Sequence, residues 1–136
     1  MAELLVRKQF SDLNFLFKAN PNVSSSSDVS VVTELDAIRQ SVLNILSTNY
    51  GERLFNPEFG ANLRQFLFED LSYPTLAAIA SQISIAISND EPRVIVLNVN
   101  INSSASNPHI VNIVITIQVV ATEDVADIET TLERIR

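Results

Sequence analysis

The sequence predicts an α+β fold in which an antiparallel sheet, built on a long C-terminal hairpin, packs with three to four helices. Two patterns and one scarcity point to it. Ile95, Leu97, Val99 and Ile101 alternate in one run, and Val111, Ile113, Ile115, Ile117 and Val119 in the next, which is the period-2 mark of strands with one buried face. Between residues 34 and 89 apolar side chains recur instead at helical spacing. The 136 residues contain two glycines, Gly51 and Gly60, so the positions most in need of unusual backbone angles fall in one loop. At 46% hydrophobic residues, the chain has apolar material for one core, and residues 1–136 read as a single domain.

The opening Met1 to Lys8 is a short mixed arm, expected to be mobile, that supplies Arg7 and Lys8. From Asp12 to Lys18, Leu13, Phe15 and Phe17 alternate as in a strand, although Leu16 spoils the polar face. Residues 19–28, ANPNVSSSSD, are turn formers and serines with little to bury, and read as a flexible surface loop. A helix is predicted from Glu34 to Asn49. Thr33 is its expected cap, Asp36 completes a capping-box arrangement, and Leu35, Ile38, Val42, Ile45 and Leu46 form its buried stripe.

Gly51 follows that helix directly and reads as the left-handed residue that closes its last turn. Asn56-Pro57 favours an extended residue followed by a turn carrying Glu58 and Phe59, and Gly60 releases the chain into a second helix. Glu52, Arg53, Glu58 and Arg64 alternate in sign beside Leu54, Phe55 and Phe59. The loop is therefore expected to pack on its aromatics while its charges pair at the rim. Residues alone fit a structural connector at least as well as a binding loop.

The second helix, Ala61 to Asp70, would bury Leu63, Phe66 and Leu67. A third runs from Tyr73 to about Asn89, with Ser72 as cap and Leu76, Ile79, Ala80, Ile83 and Ile87 on its buried face, leaving Gln82 and Ser84 outward. Its end holds a conflict. Asp90 and Glu91 place acids where the helix dipole prefers cations by about 0.3 to 1 kcal/mol per charge. Pro92 stops the helix, and Arg93 is near enough to neutralise one acid. A self-contained helix stop is one reading of these residues.

The hairpin follows, with Ser103 to Pro108 as its connection and a charge-free outer surface of Asn98, Asn100, Asn102, Asn112, Thr116 and Gln118. Long strands without charged gatekeepers invite another strand, so either the segment Leu13 to Phe17 or a neighbouring protein should cover the edge. Thr122 to Arg136 reads as a final amphipathic helix with Val125, Ile128, Leu132 and Ile135 on one side.

Composition narrows the function classes. A net charge of −7 argues against nucleic acid and favours basic protein surfaces. With no cysteine and one histidine, His109, neither a zinc site nor a Ser-His-Asp triad can be assembled, and no Gly-rich phosphate loop exists, so no cofactor is expected. Ala2 to Val6 is too short for a signal core or a membrane span. Glycoside hydrolysis needs two carboxylates, one of raised pKa, at a sugar cleft. Glu52, Glu58, Glu69, Asp70 and Glu91 qualify by residue type alone. There is no Trp for a sugar platform, and Tyr50 and Tyr73 are the available substitutes.

FSDL (Phe10 to Leu13), AIRQSVLNIL (Ala37 to Leu46), the Gly-Glu-Arg loop with its Pro-Glu-Phe-Gly end (Gly51 to Gly60), LFE (Leu67 to Glu69) and EPR (Glu91 to Arg93) occur in one order. In that order the chain resembles the baseplate wedge and sheath-initiator family of contractile phage tails, with most likeness to the wedge members of coliphage-type myophages. The family includes a subunit of type VI secretion baseplates and carries a lysozyme-like label. The resemblance implies a non-enzymatic virion protein, made in the host cytoplasm and placed in the tail baseplate. Its implied partners are other wedge proteins, the tail sheath protein, and tail tube or hub proteins. It assigns Glu91, Pro92 and Arg93, with Glu52 and Arg53, to inter-subunit contacts, and leaves Gly51, Pro57, Phe59 and Gly60 to shape the loop. It also implies strand exchange between the hairpin and the first sheath ring. A peptidoglycan-cleaving enzyme and a secretion-system or tailocin baseplate subunit are the competing readings.

Overall fold

A computed structural model describes residues 11–13, 31–103 and 110–133. The expectations for the N-terminal arm, the Ser-rich loop, Phe15, Phe17, His109 and Ile135 lie outside those residues. The chain divides into two compact units, residues 1–41 and 42–136.

In the first unit, β1 (Ser11–Leu13) pairs antiparallel with β2 (Val31–Thr33). The Gln40 side-chain amide donates to the Leu13 carbonyl at 2.7 Å and fixes that ribbon to helix α1 (Leu35–Ser47). The helix starts one residue later than expected. Thr33 is the last residue of β2, and Glu34, at φ 56°, makes the left-handed turn from strand to helix and accepts the Ile38 amide. Ile38, Val42, Ile45 and Leu46 are buried at the predicted spacing, and Ala37 joins them.

In the second unit, α1 ends at Ser47, a 3-10 helix covers Leu63–Phe68, and α2 spans Tyr73–Asp90. Strands β3 (Val94–Ser103), β4 (Ile110–Val119) and β5 (Val125–Glu133) form one antiparallel sheet in that order. The described residues thus hold two α-helices and a 3-10 helix. Ser72 occupies the cap position of α2 with its hydroxyl against Thr75 Oγ1, and Pro74 sits in the first turn, where its missing amide costs nothing. Ile79, Ile83, Ala86 and Ile87 are buried on one face of α2, which packs along β3.

Two sheet expectations are corrected. The last segment is β5, not a helix. The turn from Val119 to Asp124 closes with the Val119 amide on the Asp124 carbonyl and the Glu123 amide on the Val119 carbonyl, with Glu123 at φ 58°. That turn returns the chain alongside β4, where nine residue pairs run without interruption from Ile110 opposite Glu133 to Gln118 opposite Val125. Ala126 and Ile128 are buried and alternate with exposed neighbours, so the segment carries a period-2 pattern beneath its helix-like spacing. Hydrogen bonding along β4 outweighs the propensity of an isolated helix.

The hairpin register also shifts between Val96 and Asn98. Val94 and Val96 stand opposite Val119 and Ile117, whereas Val99 and Ile101 stand opposite Ile115 and Ile113. This bulge at Leu97 interrupts the expected alternation. Ile95 and Leu97 are half exposed, and the inner face is carried by Val94, Val111, Ile113, Ile115, Ile117 and Val119.

Candidate functional site

The loop between α1 and the 3-10 helix is tied down at three levels. At its base, the Glu52 amide donates to the Asn49 carbonyl at 3.2 Å with Gly51 at φ 81°, the third position of a type II turn. Gly51 therefore serves this turn, four residues past Ser47, and does not close the helix. The Glu52 carboxylate accepts the Asn49 side-chain amide at 2.8 Å and its backbone amide at 3.1 Å. Those two bonds, aided weakly by Arg64, hold its pKa below the ordinary glutamate value.

At mid-loop, the Gly51 amide reaches the Pro57 carbonyl at 2.8 Å, and the Asn56–Phe59 turn closes with Pro57 in second position, as expected. Arg53 stacks 3.5 Å above the Phe59 ring. The neighbouring apolar side chains do not pack with it. Leu54 is 92% and Phe55 99% exposed, so the expectation of a loop folded onto its aromatics holds for Phe59 alone. Residue order alone does not signal this, because a hydrophobic residue in a loop reads as buried until the path of the backbone is known.

At its far end the loop seals the helix. The amides of Ala61 and Asn62 donate to the carbonyls of Ile45 and Thr48, satisfying groups that α1 leaves open. Gly60 turns at φ 107°, with the Thr48 carbonyl oxygen only 2.4 Å from where a β-carbon would stand. Its amide donates to Asp90 Oδ2 at 2.8 Å. The loop and the end of α2, separate in sequence, therefore meet at Gly60.

Asp90 is thus spent on the glycine loop, which answers part of the conflict at the helix terminus. Glu91 answers the rest. It is 3% exposed, its amide caps α2 on the Ile87 carbonyl, and its carboxylate receives Arg93 Nε at 2.5 Å and Nη2 at 2.6 Å. Pro92 takes the second position of the turn closed by the Val94 amide on the Glu91 carbonyl. The Arg93 carbonyl accepts the Val120 amide. The Glu-Pro-Arg corner is a braced junction between α2 and the sheet, with Pro92 exposed and Arg93 partly so.

Glu52, Glu58, Glu69 and Asp70 are exposed, Glu52 is pulled toward its ionised form, and Glu91 is paired. A cleft of about 120 Å³ among Leu43, Leu46, Leu63 and Leu132 has no carboxylate in its lining. Among the described residues, no group of three or more His, Cys, Asp or Glu side chains could hold a metal ion, and no helix is long and apolar enough to cross a membrane.

The family model for "Baseplate wedge protein gp25" matches residues 32–124, from the last residues of β2 to the turn before β5, and so spans both the loop and the corner. The chain belongs to this family. The baseplate wedge protein gp25 of Enterobacteria phage T4 is 36% identical over 96 residues, covering 71% of this chain and 70% of that protein. A crystal structure from Geobacter sulfurreducens, of a protein named as a tail lysozyme, superposes with a TM-score of 0.69 at 25% identity over 74% of this chain and 91% of that one. A chain of the anti-feeding prophage baseplate, at 21% identity, shares the fold with a TM-score of 0.62 over 93% and 86%.

Proposed function

We propose that this chain is a structural subunit of a phage contractile-tail baseplate, a single wedge domain that joins other wedge proteins through the Glu-Pro-Arg corner and the Gly-Glu-Arg loop. Its free strand edges start sheath assembly by pairing with sheath strands, and tail tube or hub proteins are further neighbours. The chain's membership of the baseplate wedge protein family supports the place in the particle. The observation that carries the surface assignment is the link from Gly60 to Asp90, which holds a loop with two bare apolar side chains on the same frame as the corner. A preorganised apolar tip loses little freedom on docking, which is what a permanent assembly contact needs.

Hydrolysis of peptidoglycan is disfavoured, because Glu52, Glu58, Glu69 and Asp70 are exposed, Glu52 is held toward its ionised form, and the buried Glu91 is tied to Arg93. The tail-lysozyme wording belongs to the Geobacter protein's name. Resemblance to the anti-feeding prophage baseplate keeps a tailocin or secretion-system particle as the same-class alternative, which the neighbouring genes decide.

The test separates folding from docking. Replacing a buried ion pair by apolar residues of similar size is often neutral for stability. Glu91→Leu with Arg93→Met is expected to keep the domain folded by circular dichroism and to remove it from pull-downs with the co-expressed wedge proteins. Phe55→Ser, at a fully exposed side chain, should change stability by less than about 0.5 kcal/mol and weaken the same pull-down. Retention of full binding by both folded variants would refute the surface assignment.

A further inference from the structure

The two outer edges of the sheet are unlike, and we infer that β5, not β3, accepts an incoming strand, and that the strand it selects carries lysine or arginine at every second position. This rests on the proposed assembly by strand pairing and names which edge and which partner chemistry serve it. Among the described residues neither edge is paired. Strand β3 is broken by the bulge at Leu97, a device that twists an edge and ends pairing with a neighbour. Strand β5 has an unbroken nine-pair register with β4 and contains no proline, glycine or lysine.

Charge then chooses the occupant. Strands β3 and β4 contain no charged residue, so every charge in the sheet lies on β5. Asp127, Glu129 and Glu133 are all acids, and all are exposed on the same face. Asp127 is fixed by the Thr116 hydroxyl at 2.7 Å. Because the acids stand on the solvent face, they do not block the edge of β5, which pairs with no further strand among the described residues. They form a row about 20 Å long at strand spacing. A second copy of this chain would bring the same acids beside them, and like charges on neighbouring strands repel. A strand with basic side chains at alternate positions places each beside an acid. The same row therefore discourages self-pairing and favours a basic partner.

The test titrates the full chain with a nine-residue peptide alternating lysine and valine, its glutamate counterpart, and a scrambled lysine peptide, reading backbone amide shifts. The alternating lysine peptide is expected to shift β5 amides, to weaken with salt, and to bind about tenfold less tightly to Glu129→Lys/Glu133→Lys. The glutamate peptide should show the opposite preference. Shifts confined to β3, equal binding of the scrambled peptide, or no binding overturns the inference. In particles, the double variant should enter baseplates that then carry no sheath. Normal sheaths on such baseplates overturn the inference alone, whereas absence of the unaltered chain from baseplates overturns the reading beneath it.

Discussion

At Gly60 the backbone has neither the angle nor the room for a side chain, and both follow from its place against the Thr48 carbonyl. Gly60→Val is expected to cost about 2–4 kcal/mol, combining left-handed strain with an overpacked contact, and to lower the melting temperature in a thermal scan. At Gly51 a β-carbon would meet nothing, so Gly51→Ala carries the φ penalty alone and should cost about 1 kcal/mol. Near-equal melting temperatures for the two variants would contradict this difference. Arg93 is a second such residue. Arg93→Ala leaves a buried Glu91 carboxylate short of its bidentate partner, and a loss of about 2 kcal/mol is expected, discounted because the guanidinium is partly exposed. Glu52 adds a pH dependence. Its pKa is lowered in the fold, so its contribution is complete above the ordinary glutamate range and is lost as pH falls through the depressed value. The protection of the Asn49 amide, taken relative to its intrinsic exchange rate at each pH, should fall over that acidic interval, and Glu52→Gln should abolish the change.

At the scale of elements, Ile128→Ala on the buried face of β5 should cost about 2–4 kcal/mol, while Glu129→Ala should stay within about 0.5 kcal/mol in chemical denaturation. A helix with Ile128 and Leu132 on one side would not predict strand-like shifts at every residue from Val125 to Glu133, and strand-like shifts are what NMR should give. The sequence made α1, α2 and the hairpin legible because their apolar spacing is long and unambiguous: Ile38 to Leu46, Ile79 to Ile87, and Val111 to Val119 are buried as their periods require. It hid β5, where Val125, Ile128 and Leu132 satisfy a helical period while Ala126, Ile128 and Leu132 satisfy that of a strand. It hid the Leu97 bulge for a related reason, since Ile95 and Leu97 alternate smoothly with Val99 and nothing local marks the extra residue. In the candidate site, Pro57 and the Glu91–Arg93 pair were readable from neighbours in the chain. The Gly60–Asp90 link was not, being a contact between residues thirty positions apart.

Over the whole molecule, rigidity and incompleteness coincide. The Gly60 anchor, the type II turn and the ion pair at the corner brace a frame that exposes Leu54 and Phe55 at the loop tip and, among the described residues, leaves both edges of the three-stranded sheet without a neighbouring strand. Under the proposed function, a frame of this kind in a baseplate wedge protein works by presenting docking surfaces to neighbouring subunits. The most direct measurement is a cryo-EM map of the assembled particle at side-chain resolution. The predicted map has Leu54, Phe55 and Pro92 buried under other wedge subunits, with the β5 ladder continued by a strand from a neighbouring protein. A map in which loop tip, corner and both sheet edges face solvent contradicts it.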